Sequence, residues 1–230
     1  MSNQGNNEYY VDVVLCIDGT GSMKKFIEKV KASALSIHSM LEEEMILLGK
    51  NPAQTRVKVI VFGDYAKDAE PMRESEFFVL PQQNDELHEY VNGITVMGGG
   101  DIPENAIEAI ATAMKSDWVE EGGRFRRHVV VVFTDAPALA LGERSGCPNY
   151  PDDLPKTMAD LSSWWEGSNQ EAPSAYYHGA GRLVAFVPND ESWTQFESWN
   201  RVVMKYTAPG ECNELDMKEV INIIACSFGG

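Results

Sequence analysis

The chain has 230 residues, a formal net charge of −16, 43% apolar and 23% charged residues, and four cysteines. That length suffices for one α/β domain burying roughly 70% of its unfolded surface without disulfides or a structural metal. The acidic balance sets aside nucleic-acid backbones and anionic lipid as partners, and with no secretory leader pattern and no apolar run of about 18 residues a soluble, cytoplasmic chain with no membrane association is expected.

Residues 1–8 are polar and expected to be flexible, leaving 9–230 as a single domain. Residues 9–17 are too rich in Val, Leu and Ile for a half-exposed strand and predict a central strand covered on both faces. Met23, Phe26, Ile27, Val30, Ala34, Ile37, Leu41, Met45 and Leu48 then recur at helical spacing, predicting one long amphipathic helix that ends near Gly49 and Pro52. Lys24, Lys25, Glu28 and Lys31 form its solvated face. A second strand is predicted over 56–62, ending in Gly63-Asp64, followed by a short edge strand over 76–80 and a short helix over 85–91. Pro103 suits the first turn of a helix over 104–114, where its missing N–H is not needed. Residues 127–133 are the most continuous β-branched run, and 183–187 and 202–206 read as further strands. Helices are predicted over 153–165, 191–199 and 215–227, the last with Leu215, Val220, Ile223 and Ile224 facing inward. The segment 136–181 is irregular, with Trp164-Trp165 and Tyr176-Tyr177 either packed as local core or available to a partner.

Apolar strands alternating with helices imply a doubly wound, mostly parallel α/β sheet with helices on both faces and one short antiparallel edge strand. Ligands of such sheets lie beyond the carboxyl ends of the strands, where Asp18, Asp64, Asp101 and Asp135 all fall. Any one of these acids alone is explained as a cap or turn residue. In Asp18-Gly19-Thr20-Gly21-Ser22-Met23, however, a carboxylate and two hydroxyls stand at every second residue between a strand and a helix. Oxygen donors of that kind suit a hard cation such as Mg²⁺, and the segments 98–104 and 133–137 also put acids just after strand-like runs or at a helix start. Cys16, Cys147, Cys212 and Cys226 and the four histidines are scattered, which gives no zinc pattern.

At these residues the chain resembles the von Willebrand factor A family, whose metal-ion-dependent adhesion site opens with Asp-x-Ser-x-Ser; here Thr20 replaces the first Ser. Many members add a Thr from the second loop, and none fits here; instead Asp101-Ile102-Pro103-Glu104 resembles the Asp-x-Pro-Glu found in the A-like domains of integrin β-subunits, and Thr134-Asp135-Ala136 matches their third loop. Gly98-Gly99-Gly100-Asp101 and Phe133-Thr134-Asp135-Ala136-Pro137 are also similar to A-type domains of microbial proteins and of atypical α-kinases, although no kinase segment is present. The resemblance implies one Mg²⁺ or Mn²⁺ held by Asp18, Thr20, Ser22, Glu104 and Asp135, and a partner protein that offers an Asp or Glu carboxylate, with no bond made or broken. It further implies a second divalent cation such as Ca²⁺ at Asp64, Asp101 and Glu104, although Gly99 stands where those domains supply an Asn. A third cation would need acids where Lys24, Lys25 and Phe26 occur. The terminal helix is expected to shift when the partner binds.

Other readings meet obstacles. A haloacid dehalogenase-type phosphatase needs a nucleophilic Asp where Cys16 stands, and neither a Gly-x-Gly-x-x-Gly fingerprint nor a Gly-Lys-Ser/Thr phosphate loop occurs. A metal-assisted hydrolase needs a general base, and His128 begins a strand at the far end from the acids. A scaffold with a vacant site would leave the company of Thr20, Ser22 and Glu104 unexplained.

Overall fold

The first apolar run becomes β1 (Glu8–Asp18), whose side chains alternate between two buried faces. The computed structural model of the chain describes residues 8–98, 103–121, 125–168, 179–208 and 211–228. β1 lies between two parallel neighbours, β2 (Asn51–Phe62) and β5 (Arg126–Phe133), and β6 (Gly181–Pro188) and β7 (Val202–Thr207) extend the sheet in parallel beyond β5. The antiparallel edge consists of two short pieces on β2, β3 (Met72–Glu74) and β4 (Phe78–Leu80), of which only the second falls within the stretch expected from sequence. β1 sits where the winding reverses. Asp18 pairs with Phe62 and Ile17 with Phe133, so the carboxyl ends of β1, β2 and β5 are level.

Val11, Val13, Leu15 and Ile17 face α1 (Lys24–Ser33), α2 (Ile37–Leu47), α3 (Asn84–Asn92) and α7 (Met217–Ser227). Val14 and Cys16 face α4 (Ala106–Met114), α5 (Met158–Glu166) and the short α6 (Glu191–Thr194). Two hydrophobic layers therefore enclose the sheet, as a doubly wound fold requires.

Five helical expectations need correction. The long helix is two helices joined by a tighter 3₁₀ turn over Ala34–Ser36, because Ser36 Oγ donates to the Ser33 carbonyl and Ser39 Oγ to that of Ser36, both at 3.0 Å, drawing the turns inward. Pro103 does not open α4: Glu104 is held extended beside Ala138, and the helix starts at Ala106. α5 begins at Met158, after Pro155, where Thr157 Oγ1 accepts the Asp160 N–H at 3.2 Å as an N-cap. α6 stops at Thr194, short of the predicted nine residues, and turns follow it. In α7 it is Ile221, with Val220 and Ile224, that is fully buried, while Ile223 is half-buried. Trp164 and Trp165 are core residues, whereas Tyr176 and Tyr177 lie outside the described residues. Glu8, expected in the flexible N-terminus, pairs with Asn51 in the sheet, and residues 1–7 lie outside the described residues.

Candidate metal centre

β1 delivers Asp18 to the rim with no exposed surface. The next residue is fixed from both sides: Gly19 N–H donates to the Phe62 carbonyl at 2.8 Å and its own carbonyl accepts from Met97 N–H at 2.7 Å. A Cβ at Gly19 would stand 2.5 Å from Met97 Cε and 2.7 Å from Val61 Cγ1, so a larger residue fits only if both side chains move. The chain then turns through Gly21–Met23 into α1, bringing the hydroxyls of Thr20 and Ser22 to the same side as Asp18.

The polar groups form a continuous relay. Asp18 Oδ1 accepts the Thr20 N–H at 2.8 Å and the Thr20 hydroxyl at 2.6 Å, and Oδ2 accepts the Thr134 hydroxyl at 2.6 Å. Thr20 Oγ1 lies 3.2 Å from Ser22 Oγ, and Ser22 donates to Asp135 Oδ1 at 2.9 Å. Each hydroxyl has one proton, and each proton goes to a carboxylate. The two hydroxyls therefore turn lone pairs toward one another, an arrangement suited to a cation.

Glu104 arrives from the second loop through main-chain bonds rather than through its helix: its N–H donates to the Pro137 carbonyl at 3.1 Å and its carbonyl accepts from Leu139 N–H at 2.8 Å. The loop carrying Asp135 is braced in turn by α6, as Ala138 N–H donates to Ser192 Oγ at 3.0 Å. Glu104 is 3% exposed, and its Oε2 has no hydrogen-bond donor among the described residues. Burial first, then the charges of Asp18, Asp68 and Asp64, push its carboxyl up to about 8, with Arg144 opposing them. Burial likewise raises Asp18 to about 6 against the hydroxyls of Thr134 and Thr20 and the Thr20 N–H, which favour its ionised form. Two acids that resist ionisation side by side, one of them short of a donor, fit a bound divalent cation.

Of the acids expected at a second site, Asp64 is buried and its carboxylate is bridged by Arg144. Asp101 lies outside the described residues. Among the described residues no group of three or more His, Cys, Asp and Glu is spaced to hold a metal ion, so Asp18, Glu104 and Asp135 do not form such a group by themselves; the hydroxyls of Thr20 and Ser22 are what link Asp18 to Asp135. Two contributors escaped the sequence reading, Thr134 and Arg144; a hydroxyl directly before Asp135 was a visible signal for the first, and nothing local marked the second. Asn213, just before α7, donates to the Ser22 carbonyl and accepts from Phe26 N–H, both at 3.0 Å, tying the approach to the last helix to the first motif. Among the described residues no helix is long and apolar enough to cross a membrane.

Comparison with known proteins accords with this architecture. No curated protein matches the chain. The pilus adhesin SpaC from Lactobacillus rhamnosus GG is similar in fold in two crystal structures, with TM-scores of 0.56 and, in its open conformation, 0.51 at 13% and 10% identity. Each match covers 96% of this chain and 30% of the adhesin, so the chain spans under a third of that protein's length. A von Willebrand factor type A protein from Catenulispora acidiphila aligns over 94% of this chain and 42% of its own, with a TM-score of 0.49 and 13% identity. The family model for the von Willebrand factor type A domain matches residues 12–160, which run from β1 through every loop of the centre into α5, and the chain belongs to that family.

Proposed function

We propose that the chain is a protein-binding module whose grip on its partner depends on one divalent cation, Mg²⁺ or Mn²⁺, held by Asp18, Thr20, Ser22, Glu104 and Asp135. The observation that carries this reading is Glu104, a buried carboxylate whose Oε2 lacks a donor among the described residues and which feels the like charge of Asp18. A bound cation supplies positive charge and a position open to one more oxygen ligand, which an Asp or Glu side chain of a partner protein fits. Thr20 and Ser22 contribute neutral oxygens, so the local positive charge is not fully cancelled, and it is this local charge rather than the net −16 that a partner carboxylate meets. Thr134 and the Thr20 N–H hold Asp18 in one orientation, which lowers the reorganisation that binding requires.

In this reading the centre binds and does not catalyse; of the described histidines, His38 and His88 sit on α2 and α3, and His128 lies in β5 close to its start. The name of the pilus adhesin with a similar fold accords with a binding role.

Thermal melting of chelator-stripped protein during titration with Mg²⁺ or Mn²⁺ tests the reading. At a hundredfold excess over Kd the folded state gains about 2.7 kcal/mol, which for a chain of this size is a rise of roughly 5–11 °C in Tm. Asp18→Ala should fold and show no such rise. A wild type that does not respond to either cation, or an Asp18→Ala variant that responds equally, refutes the assignment.

A further inference from the structure

Arg144 stands beside the centre, yet the binding reading does not use it. Its guanidinium meets both oxygens of the buried Asp64, Nε to Oδ1 at 2.9 Å and Nη2 to Oδ2 at 3.1 Å, and Oδ1 also accepts Ala66 N–H at 2.8 Å. Asp68 is adjacent, with its Oδ2 accepting the Asp64 N–H at 2.9 Å. Glu104, whose Oε2 has no donor among the described residues, feels Asp64 and Asp68 as like charges and Arg144 as the opposing one, and Arg144 Nη1 also reaches Glu143 Oε1 at 3.4 Å. Four acids thus share one neighbourhood with one guanidinium, and only Asp64 among them is met at two points.

The arginine rides on an anchored turn. Gly142 has φ +81°, and a Cβ there would stand 2.6 Å from the Lys156 carbonyl oxygen. Its N–H donates at 3.0 Å to Oε1 of Glu108, a fully buried acid that also accepts the Tyr150 hydroxyl at 3.2 Å. Ser145 N–H then donates back to the Gly142 carbonyl at 3.0 Å, fixing the stretch that carries Arg144. Planar two-point contact with a carboxylate is the geometry in which arginine excels.

We infer that Arg144 is a resident cation, whose guanidinium fills the seat a second divalent metal ion would take at Asp64 beside Glu104, so that the chain binds one exchangeable cation and not two. The inference builds on the proposed cation centre, but it makes a separate demand. Asp64 is neutralised by a group that no chelator removes, and the exchangeable ion is left to the set around Asp18.

Isothermal titration calorimetry of the full chain with Mn²⁺ alone and with Ca²⁺ alone tests this in the wild type, R144Q, R144K and R144Q/D64N. The expected result is one cation per chain in the wild type and in R144K, two in R144Q with Ca²⁺, and loss of the added one in R144Q/D64N. A wild type that binds two cations, or an R144Q variant that folds by circular dichroism and binds no more than the wild type, overturns the inference. Should R144Q not fold, D64N decides: an unchanged cation count supports a seat already filled by arginine, and a count reduced by one makes Asp64 a metal ligand and overturns it. A wild type that binds no cation refutes the binding reading alone; the role of Arg144 is then upheld if R144Q gains one Ca²⁺ that R144Q/D64N lacks, and overturned if it gains none.

Discussion

Glu104→Gln separates two effects that the buried carboxylate combines. Without a cation its ionised form is resisted, first by burial and then by Asp18, Asp68 and Asp64, and the group moves from its ordinary 4.5 to about 8. A group raised in the fold is accommodated in full below its unfolded value and loses that advantage as pH climbs through the folded one. Cation-free stability should therefore fall between about pH 4.5 and pH 8 and level off above. The ceiling on that loss is about 5 kcal/mol at 1.36 kcal/mol per unit. Part of the rise at Glu104 comes from Asp18, itself raised to about 6 by burial first and by the like charge of Asp135, and we assign about 2 kcal/mol to Glu104 alone. The amide keeps the shape and removes the charge. In chelator at pH 8.5, differential scanning calorimetry should then show the variant melting above the wild type by roughly 4–8 °C, with the gap closing at pH 5. Saturating Mg²⁺ should reverse the order, because only the wild type retains the carboxylate. A variant that melts at or below the wild type at pH 8.5 without cation, or that gains as much from Mg²⁺, would refute the reasoning.

Two further perturbations probe the frame. Asp12 is buried and accepts from Arg56 Nε at 2.8 Å, Arg56 Nη2 at 2.6 Å and Val119 N–H at 2.6 Å. Asp12→Ala should cost about 3–5 kcal/mol by urea unfolding, since it removes the carboxylate that balances Arg56 and leaves that arginine only the Asp117 carbonyl and the Phe77 ring, while Mg²⁺ affinity stays unchanged because Asp12 lies about 20 Å along β1 from Asp18; a changed affinity would show coupling across the sheet. Gly142→Ala should cost at least about 1–3 kcal/mol through its positive φ and its approach to Lys156, and a loss below about 0.5 kcal/mol would mean that the turn carrying Arg144 is not anchored as described.

The parallel strands were legible because each is a short apolar run ended by a polar turn, and burial on both faces leaves few other uses for such runs. Asp18, Thr20, Ser22 and Asp135 were legible for a related reason: their spacing is local to the strand ends, so knowing the strands placed the side chains. Helix interruptions were harder to see. Ser36 and Ser39 break the long helix through hydroxyl bonds to nearby carbonyls, a competition that apolar periodicity does not register. Pro103 misled because main-chain pairing with residues 137–139 outweighs its preference for a helix start. Arg144 lies 80 residues from Asp64 and was invisible to any local rule. Its role depends on which loops the topology brings together.

The main-chain bonds of Glu104 to Pro137 and Leu139 bear on how this protein tolerates change over generations. The acid takes its coordinates from the loop that follows β5 and not from α4, the helix that follows it. α4 is packed on nearly every side with Ala106, Ile107, Ala109, Ile110, Ala111, Ala113 and Met114, a surface on which small apolar exchanges are the commonest kind of drift. Such exchanges can settle that helix a fraction of an ångström one way or another while Glu104 keeps its register with Asp18 and Asp135. The centre is mechanically insulated from the most crowded layer of its own scaffold.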